Sequence, residues 1–203
     1  MRGIFVYLYI FRLENIMTLS AKEFFDAWVD VYSEKDHQEK LNFYWSNRSA
    51  YTKEIANVCV DIAQKLYLEC WTDNYYFIDH VFYKAEGAEE INGTTYIINP
   101  EIVFEHENDT NGFYTEVAHH LMLKSNLYVV VSYYKNIVNE IYMDKIRALI
   151  NKSNNASELK EKQNFLIILG EEDAADISKD YWKGFIFNGD NWNEVIQEKS
   201  VQY

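Results

Sequence analysis

The stretch LYVVVSYY, Leu127 to Tyr134, decides how the rest of the chain is read. It is a short, unbroken apolar run, the pattern of a strand buried on both faces rather than one half-facing water. Such a strand needs helices above and below it, which points to an α/β domain. On its N-terminal side the apolar spacing predicts a helix over about Phe113 to Lys124. Before that come the turn NDTNG and the strand PEIVFEHE, Pro100 to Glu107. Strand, helix and strand in this order give a helical crossover into a neighbouring parallel strand.

Working outward, Ile137, Val138, Ile141, Tyr142, Ile146 and Leu149 give a further helix. NKSNNASE then reads as a loop, NFLIILG as a second buried strand and YWKGFIFNG as a last strand. Upstream, TTYIIN is a strand broken from PEIVFEHE at Pro100, and the polar AEGAEEING turns the chain. YYFIDHVFYK, Tyr75 to Lys84, is a strand rich in aromatic and β-branched residues. A helix is expected from about Tyr51 to Cys70, on the repeat of Tyr51, Ile55, Val58, Cys59, Ile62 and Leu66. SEKDHQEK is read as a loop or solvated turn. Ser20 and Glu23 form a capping box opening a helix striped by Phe24, Phe25, Trp28, Val31 and Tyr32, with Leu19 and Phe24 placed as a hydrophobic staple. The expectation is a single α/β domain over 17–203, its mixed sheet flanked by helices on both faces.

The first sixteen residues stand apart. IFVYLYIF, Ile4 to Phe11, is far shorter than the roughly 20 residues that span a bilayer, and no small-residue cleavage site follows it. The segment 1–16 reads either as an N-terminal extension, with Met17 a second candidate start, or as an ordinary extra element.

Composition narrows the function classes. One Pro and seven Gly in 203 residues leave no room for long linkers or low-complexity repeats. A net charge of −13 disfavours broad, sequence-independent DNA binding, although 19 basic residues could still form a local patch. Two cysteines, Cys59 and Cys70, cannot build a disulfide framework or a four-cysteine zinc site. Both fall in one helical pattern as core residues, which fits a reducing, cytoplasmic setting with no membrane attachment. No phosphate-cradling Walker loop, GxGxxG fingerprint or nucleophile elbow is present.

Three carboxylates are out of place. Asp79 has apolar neighbours except His80, and a buried, unpaired charge there costs several kcal/mol, on the order given for isolated buried ions. Alternation along a strand puts Glu105 and Glu107 on one face with Val103, and Ile102, Phe104 and His106 on the other. If the two strands are neighbours, Asp79, Glu105 and Glu107 converge at one sheet end. Carboxylates tolerate that when one is protonated or when a hard divalent cation sits between them. Such a cation polarises a phosphodiester and lowers the pKa of a bound water. The plainer alternatives are a strand end entering solvent for the glutamates and a hydrogen-bonded or ion-paired Asp79. Glu54 is either a solvated helix position or a further ligand. His119 and His120 point roughly 100° apart on a helix, so with His80 and His106 they do not form an HExxH-type zinc site. The numerous Tyr and Trp residues read chiefly as core and surface filler rather than a stacking platform.

A helix, a strand with an isolated Asp, a strand ending Glu-x-Glu, then a helix and a buried strand resembles the PD-(D/E)xK nuclease superfamily, the restriction-endonuclease-like fold. The likeness runs from about Tyr51 to Tyr134. It implies a three-layer restriction-endonuclease-like core in which Asp79 and Glu105 bind Mg²⁺ or Mn²⁺, with Glu54 as the helix acid that adds a metal ligand. Glu107, at the position usually held by Lys, would orient or activate the water. The chain departs from the pattern in lacking that Lys and in having Ile78, not Pro, before Asp79. The function so implied is hydrolysis of DNA, less readily RNA, with Asp79, Glu105 and Glu107 catalytic and a homodimer left open. The alternative is a catalytically inactive nuclease-fold protein with an interaction or defence-associated role. An immunity-like protein whose acidic surface binds a basic protein partner is a third reading.

Overall fold

The computed structural model describes residues 19–108, 112–134, 140–171 and 181–196. The segment 1–16, Met17, Asp109, Ile137 and Val138 lie outside them. Among the described residues three helices come first: α1, Ala21–Tyr32; α2, Lys35–Tyr44; and α3, Arg48–Lys65. The capping box opens α1 as expected, with Glu23 N–H donating to Ser20 Oγ at 3.2 Å and Ser20 N–H to Glu23 Oε2 at 2.8 Å. Strands β1, Glu69–Trp71, and β2, His80–Tyr83, follow, then the ribbon β3, Ala88–Ile91, with β4, Thr94–Ile97. After β5, Pro100–Glu107, come α4, Phe113–Leu121; β6, Leu127–Tyr134; α5, Glu140–Asn151; and α6, Ala156–Lys162. The last described elements are β7, Phe165–Glu171; β8, Trp182–Phe187; and β9, Trp192–Glu194.

Seven strands form one mixed sheet in the order β1-β2-β5-β6-β7-β8-β9. β5, β6 and β7 are mutually parallel, and the outer pairs are antiparallel. The apolar run that set the fold class therefore lies at the centre. Alternate residues of each central strand enter opposite cores. Val129, Val131 and Tyr133 pack with Ile102 and Phe104 under α1 to α3. Tyr128 and Val130 pack with Val103 under Val117 of α4 and Ile146 and Ile150 of α5. The expected α/β class, with helices on both faces and a parallel crossover through α4, is what these residues build.

Several local expectations are corrected. SEKDHQEK is not a loop: α2 forms there, because burying His37 and Leu41, one helical turn apart, suffices to seat it on α3. The second helix runs Arg48–Lys65 rather than Tyr51 to Cys70; Asn47 caps it, and Tyr67, at φ 58°, turns the chain into β1, where Cys70 lies. α4 stops at Leu121, short of Lys124. NKSNNASE contains the start of α6, and AEEI is strand rather than turn. The strand expected over Tyr75 to Lys84 is only His80–Tyr83.

Tyr75 to Ile78 instead close a tight two-residue turn, bonded Tyr75 N–H to Ile78 C=O at 2.8 Å and the reverse at 3.1 Å. Its central residues, Tyr76 and Phe77, have φ of 51° and 76°. The β3–β4 turn uses nearly the same angles, 55° and 77°, at Asn92 and Gly93. Asn-Gly is the sequence such turns favour, whereas bulky residues there cost about 1–2 kcal/mol each. Among the described residues no helix is long and apolar enough to cross a membrane.

Candidate metal centre

The antiparallel pairing of β2 with β5 sets His80 opposite Phe104, so the next residue outward, Asp79, stands beside Glu105. Asp79 N–H donates to Glu105 Oε2 at 3.3 Å, and Asp79 Oδ2 accepts from the backbone N–H of His106 at 3.0 Å. The convergence expected of Asp79 and Glu105 is thus present, at the carboxyl end of a central parallel strand, where open α/β sheets place ligands.

Glu105 is 2 % exposed and points toward α4, on the face of Val103. Burial, then the charges of Asp79 and Glu116, push its carboxyl up to about 10, so it is protonated at neutral pH. Its Oε1 is buried with no hydrogen-bond partner. A buried carboxyl oxygen that no partner satisfies costs on the order of 1–3 kcal/mol.

Two residues of α4 complete the group. Glu116 and His119 are three apart, hence on one side of the helix, and His119 Nδ1 lies 3.2 Å from Glu116 Oε2. One ligand atom each from Glu105, Glu116 and His119 fall within 4.8 Å of one another. Two carboxylates and one imidazole could hold a divalent metal ion, and the nitrogen extends the choice from Mg²⁺ toward Mn²⁺ and later transition metals. The two histidines of α4 do diverge. His120 is fully buried among aromatic rings and pushed down to about 3 by burial, while His119 faces the cluster. The readable signal was the spacing Glu116-x-x-His119 on the helix after the Glu-x-Glu strand, rather than the His-His doublet.

The remaining expected residues lie elsewhere. Glu107 shares the face of Glu105, but its carboxylate lies against Gly112 at the start of α4, where a Cβ would collide with it. Glu54 is not brought to the centre. It is buried between α2 and α3, bonded by Oε1 to His37 Nδ1 at 2.8 Å and by Oε2 to Asn57 Nδ2 at 2.9 Å, with Lys40 Nζ 3.6 Å away. The other nitrogen of His37 meets Asp61 at 2.9 Å, so Glu54 serves a hydrogen-bonded link between α2 and α3. His106 faces the opposite core, where its Nε2 meets Tyr133 Oη at 2.9 Å.

The strained turn borders the centre. Tyr76 and Phe77 remain 70 % and 74 % exposed directly before Ile78 and Asp79, and the Phe77 ring lies 6.2 Å from that of His119. No protein-family model matches the chain, and no curated protein matches it.

Proposed function

We propose that the chain is a divalent-cation-dependent phosphodiesterase, a PD-(D/E)xK-type nuclease acting on DNA in preference to RNA. The observation that carries this reading is the orphaned, buried Glu105 carboxyl held beside Asp79 and facing Glu116 and His119. Supporting it, α3, the antiparallel run β1-β2-β5, α4 and the parallel β6 follow in the order that the restriction-endonuclease-like fold implies. Glu105, Glu116 and His119 would hold Mg²⁺ or Mn²⁺, which when bound supplies charge for the phosphoryl oxygens and a more acidic water. Asp79 positions Glu105 and takes a place beside the cation. Its own orientation is fixed by the His106 backbone N–H.

One observation favours a second reading, the same fold without turnover and acting by binding. The face that carries Lys in the family carries Glu107, packed against α4, leaving no basic side chain at that point of β5. A thermal-shift titration with Mg²⁺ and Mn²⁺, followed by cleavage of single- and double-stranded DNA and of RNA, separates the two. Stabilisation abolished by Asp79→Asn and Glu105→Gln, with cleavage, supports the nuclease. Stabilisation without cleavage supports the binding protein, and no stabilisation at millimolar cation ends both the metal and the nuclease readings.

A further inference from the structure

Across the sheet from Glu105, β5 and β6 end at a cavity of 160 Å³ lined by Trp45, Arg48, Tyr51, Asn108 and Tyr133. We propose that this cavity binds a small planar anion, a single-ring aromatic or heteroaromatic carboxylate. The reading is independent of the phosphodiesterase.

Size comes first. A cavity of about 150 Å³ accepts benzene, so the space here suits one ring. The walls are aromatic: the Trp45 ring stands edge-on to both Tyr51 and Tyr133, at 5.4 Å and 84° to each. A planar ring meets such walls in the stacked or edge-to-face contacts that aromatic groups favour.

Charge comes second. Arg48 is exposed and has no acidic partner among the described residues, in a chain with 32 Asp and Glu. A guanidinium binds a carboxylate through two parallel N–H bonds. Arg48 is also the first residue of the 18-residue helix α3, whose N-terminal end favours an anion at the same place.

Polar reading comes third. Tyr51 and Tyr133 meet hydroxyl to hydroxyl at 2.5 Å, with Tyr32 Oη 2.9 Å beyond Tyr51 and His106 Nε2 2.9 Å beyond Tyr133. Each hydroxyl has one proton and two lone pairs, and with two partners apiece Tyr51 and Tyr133 form a continuous polar chain within the two lining residues. Asn108 adds an amide at the rim. A ring bearing a hydroxyl or amino group opposite its carboxylate is therefore expected to bind better than the bare ring.

The test is isothermal titration of the full chain with benzoate and 4-hydroxybenzoate. Cyclohexanecarboxylate, benzamide and inorganic phosphate serve as controls for planarity, charge and the ring. Saturable binding of the two aromatic carboxylates at about 1 mM or tighter is expected, with 4-hydroxybenzoate the stronger. Arg48→Gln, at an exposed position, should weaken it at least tenfold, and Tyr133→Phe should erase the preference for 4-hydroxybenzoate. Equal binding of phosphate or cyclohexanecarboxylate would overturn the proposal, as would no saturable binding or an unaffected Arg48→Gln variant. Benzoate affinity should be the same in chelator and in Mn²⁺, so a failed metal titration and a failed benzoate titration are separate results.

Discussion

Glu105→Gln should alter how stability depends on pH more than it alters stability in acid. In the folded chain the Glu105 carboxyl is pushed up to about 10 by burial and by the charges of Asp79 and Glu116. In the unfolded chain it ionises near its ordinary value of 4.5. Below that lower value both states are protonated and the group costs nothing. Between the two values unfolding releases a proton, so the stability of the metal-free protein falls as pH rises. One group with this shift contributes a slope of up to about 1.4 kcal/mol per pH unit. From pH 5 to pH 7 that is about 2–3 kcal/mol, a sizeable share of the 5–15 kcal/mol typical of a domain. Glutamine keeps the shape of the protonated acid and has no proton to release, so the variant should lack this slope.

Urea denaturation followed by circular dichroism at pH 5, 6, 7 and 8, in chelator, measures the difference directly. Wild type and Glu105→Gln should be close at pH 5 and diverge steadily, with the variant the more stable at pH 8. A divalent cation must displace the same proton. Adding Mn²⁺ at pH 8 should therefore restore wild-type stability with release of about one proton, and leave the variant unmoved. Curves that stay parallel within about 0.5 kcal/mol, the ordinary spread of neutral surface changes, would refute the buried, protonated Glu105.

The other residues give sharper, narrower tests. Glu116→Gln and His119→Asn should each weaken Mn²⁺ binding by about tenfold or more, or 1.4 kcal/mol, in calorimetric titrations, whereas Glu54→Gln should not change it. His37→Ala should cost about 1–3 kcal/mol in urea denaturation, because the buried Glu54 loses one hydrogen-bond partner while keeping Asn57 and Lys40. Tyr76→Asn combined with Phe77→Gly should raise stability by about 1–2 kcal/mol by giving that turn the residues found at Asn92 and Gly93. Gly112→Ala should lose about 1 kcal/mol by displacing the Glu107 carboxylate, and a double-mutant cycle with Glu107→Ala should recover most of it.

What could be read in the sequence was whatever burial wrote as a pattern. LYVVVSYY carries two faces of apolar residues because two helical layers cover it, and the capping box at Ser20 is a local bond that needs nothing else. α2 was illegible for the opposite reason: it buries only His37 and Leu41, and His37 is held there by Glu54 and Asp61, partners that lie 17 and 24 residues further on. The same limit shaped the candidate site. Asp79 and Glu105 are 26 residues apart, yet each was conspicuous, since a charge among apolar strand residues has to be explained. Glu116 and His119 sit on an amphipathic helix, where their three-residue spacing marks one side but does not by itself tell a ligand pair from a solvated face.

The face of a side chain was predictable while its partner was not, and the two glutamates of β5 show the difference. Alternation put Glu105 and Glu107 on one side of the strand. The start of α4 then divided them, with Gly112 beside Glu107 and the side of α4 carrying Glu116 and His119 beside Glu105. Of these two glutamates, it is Glu105 whose Oε1 is buried with no hydrogen-bond partner. Adjacent to it Tyr76 and Phe77 hold a second cost, two positive-φ residues that an Asn-Gly pair would relieve. Two departures from the stable choice thus meet around Asp79, beside the residues of the proposed metal site.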